Sequence, residues 1–317
     1  MKKKTYLVTG GTGFIGSYIV KLLIKKKYKV IVFDNNSRGH LTKLRGYEKK
    51  FKFIKGDIRN SEQVDAAFKN VDAVVHLAYV NGTKYFYKHP VKILEIAIKG
   101  VVNVIEACIK NKIKEIYLAS SSEVYQTPLK VPTDEKEMLK IPNIYNPRYS
   151  YGGGKILTEL MGIHYGKKFF KKLVIFRPHN VYGPDMGNEH VVPELINRFK
   201  NLKGNNFKIQ GTGSEIRSFI YIDDFIDAFE ILIKKGKHLQ IYNIGTSEKL
   251  TIKKLVQKLS KLLNKKIKIK KTRLQTGGTK IRIPNISIIK KLGFKQKYKI
   301  DFGLKKTINF YYKDELF

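Results

Sequence analysis

The stretch Thr9-Gly10-Gly11-Thr12-Gly13-Phe14-Ile15-Gly16 decides the fold. It follows the β-branched run Tyr6-Leu7-Val8 and opens a helix-period pattern that continues Ser17-Tyr18-Ile19-Val20-Lys21-Leu22-Leu23. In a strand–turn–helix of this order each glycine has a physical task. Gly10 permits the tight turn, Gly13 lets backbone N–H groups approach a pyrophosphate, and Gly16 lets the helix pack closely on the strand. The positive end of the helix dipole then faces the phosphates, with Phe14 and Ile15 in its first turn. A plain strand–turn–helix corner carries the same glycines, so the next strand has to separate the two readings.

That strand, Val30-Ile31-Val32-Phe33, ends at Asp34, roughly 20 residues beyond the turn, where a carboxylate accepts hydrogen bonds from an adenosine ribose and repels a 2′-phosphate. NAD is therefore expected rather than NADP, although Arg38 stands nearby. Asn35 joins the expected cofactor contacts. Asp57 has two readings: it caps the helix beginning near Ser61, or it reaches the adenine edge.

Further β-branched runs recur at residues 51–54, 73–77, 116–119 and 173–176, with helical patterns in most of the intervals. Near-continuous apolar strands alternating with helices predict a parallel sheet covered on both faces, a doubly wound α/β fold of the Rossmann type. Residues 1–178 read as this domain, with later returns between 207 and 245. Of these, Phe219-Ile220-Tyr221-Ile222 and Gln240-Ile241-Tyr242-Asn243 are expected to rejoin the main sheet. Beyond Arg177-Pro178-His179-Asn180-Val181-Tyr182-Gly183-Pro184 the rhythm loosens, and residues 179–317 read as a smaller C-terminal substrate-binding lobe.

The chain has 317 residues, 42% of them hydrophobic, which suits about two domains and excludes a disordered or fibrous chain. Lys plus Arg number 63 against 26 Asp plus Glu, a formal charge of +37 that raises nucleic acid or an anionic membrane as partners. The lysines are dispersed over nearly every helix-like stretch, with no basic tail, so a solvated surface is the reading and neither partner is expected. Cys108, the single cysteine, excludes an internal disulfide framework and a Cys-based metal cage; it reads as a core thiol, and no metal is expected. Met1-Lys2-Lys3-Lys4-Thr5-Tyr6 enters a strand pattern without a signal segment, and no apolar run reaches ~18 residues. A soluble, cytoplasmic protein is the expectation.

The second constellation is Ser120-Ser121-Ser122-Glu123-Val124-Tyr125 together with Tyr151-Gly152-Gly153-Gly154-Lys155. Tyr151 and Lys155 are four apart and share one face of a helix. A neighbouring ammonium would lower the phenol pKa from about 10 and let Tyr151 accept a proton from a sugar hydroxyl. A Tyr/Lys pair arises by chance in Lys-rich helices, but three glycines between them cost roughly 1 kcal/mol each against alanine. Close approach of a ligand or another backbone would offset that. Both segments also follow carboxyl ends of strands, where ligands bind in such folds.

Together these residues resemble the extended short-chain dehydrogenase/reductases of the nucleotide-sugar epimerase/dehydratase type over essentially the whole chain. The matching elements also include Gly56-Asp57-Ile58, His76-Leu77-Ala78, the segment from Arg177 to Pro184, Arg217-Ser218-Phe219-Ile220-Tyr221-Ile222-Asp223-Asp224 and Asn243-Ile244-Gly245. The resemblance implies NAD bound by the Rossmann domain, with Ile58, Leu77, Ala78 and Pro178 among its contacts, and a nucleoside diphosphate sugar held by the C-terminal lobe. It implies Tyr151 as base, Lys155 as its electrostatic partner and nicotinamide-ribose ligand, and Ser121 as the hydroxyl that orients the substrate oxygen. Ser122 and Glu123 join the catalytic set. Asn180, Arg217 and Arg282 are implied diphosphate or nucleotide contacts; a salt bridge from Arg217 to Asp223 or Asp224 is the alternative. A homodimer through helices near 91–110 and 151–170 is implied as well.

Departures narrow the reaction. Family 4,6-dehydratases place Asp-Glu where this chain has Ser122-Glu123, and serine cannot supply the same proton. Ser-Glu resembles UDP-glucuronate decarboxylases, which lack the glycine run. Ala97 stands where the family often has asparagine, and Asn285 where it usually has aspartate. The expected function is a 4-dehydrogenase or 4-epimerase acting on a nucleotide-activated hexose or heptose, a GDP-heptose for example, in surface polysaccharide synthesis. A UDP-glucuronate decarboxylase or C5 epimerase is the enzymatic alternative. A nucleic-acid or regulatory binding protein on the same fold is the remote one.

Overall fold

The structure is a computed structural model that describes residues 3–272 and 279–312. Strand β1 (Thr5–Thr9) leads into α1 (Phe14–Lys25), then β2 (Lys29–Asp34), β3 (Lys52–Lys55), α2 (Ser61–Ala67), β4 (Ala73–His76), α3 (Thr83–Lys88) and α4 (Pro90–Glu95). A π-helical turn, Ile96–Gly100, joins α4 to α5 (Val101–Lys110), followed by β5 (Glu115–Ala119), α6 (Tyr149–Phe169) and β6 (Lys172–Pro178). The remainder contributes β7 (Val181–Tyr182), α7 (Val191–Lys200), β8 (Asn206–Gln210), β9 (Ile216–Arg217), β10 (Ile220–Tyr221), α8 (Ile222–Lys235) and β11 (Ile241–Ile244). It closes with β12 (Leu250–Thr251), α9 (Ile252–Leu262), β13 (Lys268–Thr272), β14 (Ile281–Arg282), α10 (Ser287–Lys291) and α11 (Ile300–Tyr311).

Seven parallel strands form the central sheet in the order β11-β6-β5-β4-β1-β2-β3. Because side chains alternate across a strand, each strand feeds two cores. Tyr6, Val8, Val30, Val32, Val75, Val174 and Phe176 pack towards α1 and α8 on one face. Leu7, Phe33, Val74, Leu118, Leu173 and Ile175 pack towards α2, α5 and α6 on the other. Cys108 belongs to this second core, fully buried. The order changes direction beside β1, so the carboxyl ends of β1 and β4 diverge and leave a crevice.

Residues 241–244 rejoin this sheet as β11, as the sequence predicts. Residues 219–222 do not. Ile220 and Tyr221 pair with Val181 and Tyr182 in a separate two-stranded sheet, because the chain turns at Asn180 (φ 40°) and α8 begins at Ile222 before a longer strand can form. In a second small sheet β9 lies between β12 and β14, with Arg217 and Arg282 as register partners. Asp57 does not cap α2 either: Asn60 does, accepting from the Gln63 N–H at 2.9 Å. Among the described residues no helix is long and apolar enough to cross a membrane.

Candidate active site

A cleft of about 850 Å³ runs from the glycine turn to the small sheet that carries the two arginines. At the glycine end the backbone is closed to side chains. A Cβ on Gly16 would stand 2.1 Å from the Gly10 carbonyl oxygen, and one on Gly10 (φ 71°) 2.7 Å from the Ala78 nitrogen. Gly13 caps α1 without offering a side-chain acceptor, so the first-turn N–H groups face the cleft with the dipole behind them. Phe14, Ile15, Ile58, Leu77, Ala78 and Pro178 line the same cleft.

Asp34 ends β2 and is held rigidly: its carboxylate accepts from the N–H groups of Thr12 (3.0 Å) and Asn36 (2.9 Å). Arg38 is committed elsewhere, to Glu189 at 3.0 Å, to the Asn81 carbonyl and to the face of Tyr85. Asn35 donates to Asp57 at 3.1 Å. Hydrogen bonds from Arg59 hold the Asp57 carboxyl at about 2, so it is ionised and partly engaged. A side-chain-free phosphate cradle followed by a fixed carboxylate fits a dinucleotide without a 2′-phosphate.

Tyr151 and Lys155 lie in the first two turns of α6, beneath the loop after β5, and both are buried. Ser121 hydrogen-bonds Tyr151 and also caps the short helical turn 122–125. Ser122 is buried beside them. Lys155 donates to the Ala119 carbonyl at 2.7 Å, and burial pulls its amine down to about 7, with Glu159 acting in the opposite sense. The phenol of Tyr151 is not lowered as the sequence predicts: burial raises it and dominates, while the Ser121 hydrogen bond works against that. Phe86 stacks on its ring at 4.7 Å and Tyr79 meets it edge-on at 5.1 Å, which excludes the water that would favour a tyrosinate.

The glycine run now has a cause. A Cβ on Gly152 would meet the Gln126 amide nitrogen at 2.1 Å and the Glu123 carbonyl at 3.1 Å. One on Gly153 would meet Ile141 at 3.1 Å, and one on Gly154 the Tyr79 hydroxyl at 2.3 Å and Ala97 at 2.5 Å. Close packing from three directions, absent from any local pattern, offsets the poor helix propensity.

At the far end Glu123 accepts both Arg282 Nη atoms, one of them at 3.0 Å, and Arg148 approaches at 3.6 Å. Burial opposes ionisation of Glu123, yet Arg282 and Arg148 outweigh it and keep the carboxyl at about 2. Glu123 is an acceptor there, with no proton to give near neutral pH. Arg217 donates to the backbone carbonyls of Ile216, Lys280 and Thr279, not to Asp223 or Asp224; burial and Arg282 lower it to about 10. Asp224 instead accepts from the N–H groups of Lys297 and Tyr298. Asn180 donates to the Ser218 carbonyl at 2.7 Å.

Sequence reasoning passed over Tyr79 and Arg148. The first directly follows His76-Leu77-Ala78 and the second precedes Tyr151 by three residues, so adjacency to a motif was the available signal.

Comparison with known proteins agrees with this geometry. The model of the NAD dependent epimerase/dehydratase family matches residues 6–245. The dTDP-D-glucose 4,6-dehydratase of Dictyostelium discoideum is 35% identical over 76% of this chain, which spans only 58% of that protein's length. UDP-glucuronic acid decarboxylase 3 of Arabidopsis thaliana is 31% identical over 94% of this chain and 86% of its own. Among solved structures, the UDP-glucose 4-epimerase of Thermotoga maritima, determined with UDP-glucose, superposes with a TM-score of 0.88 at 28% identity, covering 98% of this chain and 99% of that one. A glycine turn, a fixed Asp34 and a Tyr151/Lys155 pair on one cleft, in a chain matched by the family model from first strand to β11, lead to one conclusion: the chain belongs to the NAD dependent epimerase/dehydratase family.

Proposed function

We propose that the protein is an enzyme that oxidises C4 of a nucleotide-activated hexose or heptose, as a 4-dehydrogenase or 4-epimerase. The observation that carries this reading is the meeting of Ser121, Tyr151 and Lys155 midway along a cleft with a phosphate cradle at one end and Arg217 and Arg282 at the other. NAD, when bound between the glycine turn and Lys155, supplies the hydride acceptor. The chain's own residues do the rest. Ser121 orients the C4 oxygen; a protonated Lys155 offsets the burial of Tyr151 by favouring its phenolate, and that phenolate takes the C4 hydroxyl proton and becomes the neutral phenol as C4 gives up its hydride. Asn180, Arg217 and Arg282, from residues 179–317, hold the diphosphate.

Dehydration is disfavoured although a relative carries that name. Ser122 lacks the acid, and Glu123 is locked as a carboxylate between two arginines. Incubating the protein with NAD and a panel of nucleotide sugars, GDP-heptose and UDP-glucuronate included, and reading products by mass spectrometry tests this. A 4-keto or 4-epimerised product is expected; loss of water would overturn the reading.

One observation favours a second reading. Among the described residues Arg148, Arg217 and Arg282 surround a single carboxylate, and the Nε atoms of Arg148 and Arg282 are buried without hydrogen-bond partners. That excess positive charge suits a sugar with its own carboxylate, as in a UDP-glucuronate decarboxylase or C5 epimerase. Release of CO2 from UDP-glucuronate distinguishes it.

A homodimer is part of the proposal, because Val91, Leu94 and Ile98 are exposed on α4 and the following π turn, with Leu160 on the neighbouring α6. Sedimentation should give twice the chain mass for the wild type and a monomer for Leu94→Glu/Ile98→Glu; an unchanged mass in that variant excludes this face.

A further inference from the structure

Tyr79 stands between the two residues that the proposed function sets to work. Its ring is edge-on to Tyr151, at 87°, and the Lys155 Nζ lies 4.0 Å from its centroid. Its hydroxyl is buried with no hydrogen-bond partner among the described residues. Natural structures seldom leave such a group unsatisfied, so the ring is there for another reason.

The surroundings are cut to fit that ring. Its hydroxyl occupies the space where a Gly154 side chain would start, and Ala97 closes the same space from the π turn. Two features that look unrelated in the sequence, the last glycine of the run and Ala97, meet beside this ring: the Tyr79 hydroxyl and the Ala97 methyl together fill the space a Gly154 side chain would need. A side chain at 154 would displace the ring from beneath the amine.

We infer that Tyr79 is a positioning residue for Lys155: its π face carries the ammonium and, with the Ala119 carbonyl, fixes Nζ beside Tyr151. A cation on the face of a desolvated phenol ring is attracted by the ring quadrupole, and the attraction is larger where water is excluded. Lys155 is 2% exposed, and its one hydrogen bond among the described residues goes to Ala119. The groups facing it are Glu159 from α6, His76 from β4, Ala119 from β5 and Tyr79 from the loop after β4, whose ring also meets Tyr151. Glu159 and the Tyr79 ring favour the charged amine, while burial opposes it. Without the ring, burial is opposed only by Glu159 and the Ala119 carbonyl among the described residues. The kinetic consequence rests on the proposed function; the ionisation of Lys155 does not.

The test compares Tyr79→Leu, Tyr79→Phe and Gly154→Ala with the wild type. The Lys155 side chain is titrated by 13C NMR in lysine-labelled protein without substrate, its signal assigned with Lys155→Met. Tyr79→Leu should lower the midpoint by about one unit, roughly tenfold in the ionisation constant. Gly154→Ala should lower it too, by pushing the ring aside. Tyr79→Phe keeps the π face and should stay within about twofold of the wild type. With a nucleotide sugar that the wild type turns over, kcat of Tyr79→Leu should fall about tenfold at pH 8 while KM stays nearly constant, and Tyr79→Phe should rescue it. A wild-type midpoint in both Tyr79→Leu and Gly154→Ala, or a Tyr79→Phe variant as shifted as Tyr79→Leu, overturns the inference. A wild type that turns over no sugar counts against the proposed function alone, since the titration still decides the role of Tyr79.

Discussion

Tyr151→Phe is expected to lose turnover by about 10³-fold while binding NAD as the wild type does. General-base catalysis by a positioned side chain contributes roughly 10²–10⁴, and neither Glu123 nor His76 is free to take over. Glu123 is ionised but occupied by Arg282 and Arg148. His76 is buried, its pKa lowered to about 3 by desolvation, and its Nδ1 is 2.8 Å from Thr9 Oγ1. The substitution is also clean, because the contacts that seat this residue are made by its ring, stacked on Phe86 and edge-on to Tyr79. Folding should therefore survive, and calorimetric titration with NAD separates lost chemistry from lost binding. Turnover within tenfold of the wild type would remove Tyr151 from the mechanism and reopen the reading of the chain as a binding protein.

The largest expected effect on stability comes from Arg177→Met. Arg177 and Glu159 form an ion pair with side chains only 1% and 5% exposed, joined by two hydrogen bonds of 2.8 and 2.6 Å. The same guanidinium donates to the Tyr125 hydroxyl at 2.7 Å and the Glu135 carbonyl at 3.1 Å. Removing it strands a buried carboxylate, which costs about 3–5 kcal/mol, whereas replacing both partners with apolar residues of similar volume is often nearly neutral. The urea midpoint should thus fall sharply in Arg177→Met and recover most of the way in Arg177→Met/Glu159→Leu. A single variant within about 1 kcal/mol of the wild type would show that the pair contributes little beyond packing.

What the sequence disclosed was local. The β-branched runs, the glycine turn, Asp34 at the end of β2 and the four-residue spacing of Tyr151 and Lys155 each follow from periodicity or spacing within a short window. What it withheld depends on distant parts of the chain. Ile220-Tyr221 reads as a strand for the main sheet but pairs with β7, since neither residue carries a mark of its partner. The expectation of a lowered Tyr151 phenol rested on its neighbour four residues on, whereas Phe86 and Tyr79, 65 and 72 residues away in sequence, set its burial. Glu123 was legible as a site residue, but its fixed charge comes from Arg282, 159 positions later.

The consecutive glycines Gly152, Gly153 and Gly154 of α6 also differ in how the chain could drift over generations. At 153 a new side chain would press only on the end of a flexible isoleucine, so alanine there is close to neutral. At 154 it would press on a rigid aromatic ring and on an alanine with no rotamer to yield. Every missense change at a glycine adds a Cβ, so no single step leads away from Gly154 without disturbing Tyr79 or Ala97. A change at 154 is thus tied to a change at Tyr79 or Ala97, and a lineage that has settled on this arrangement would keep Gly154 even where selection on the sugar relaxes.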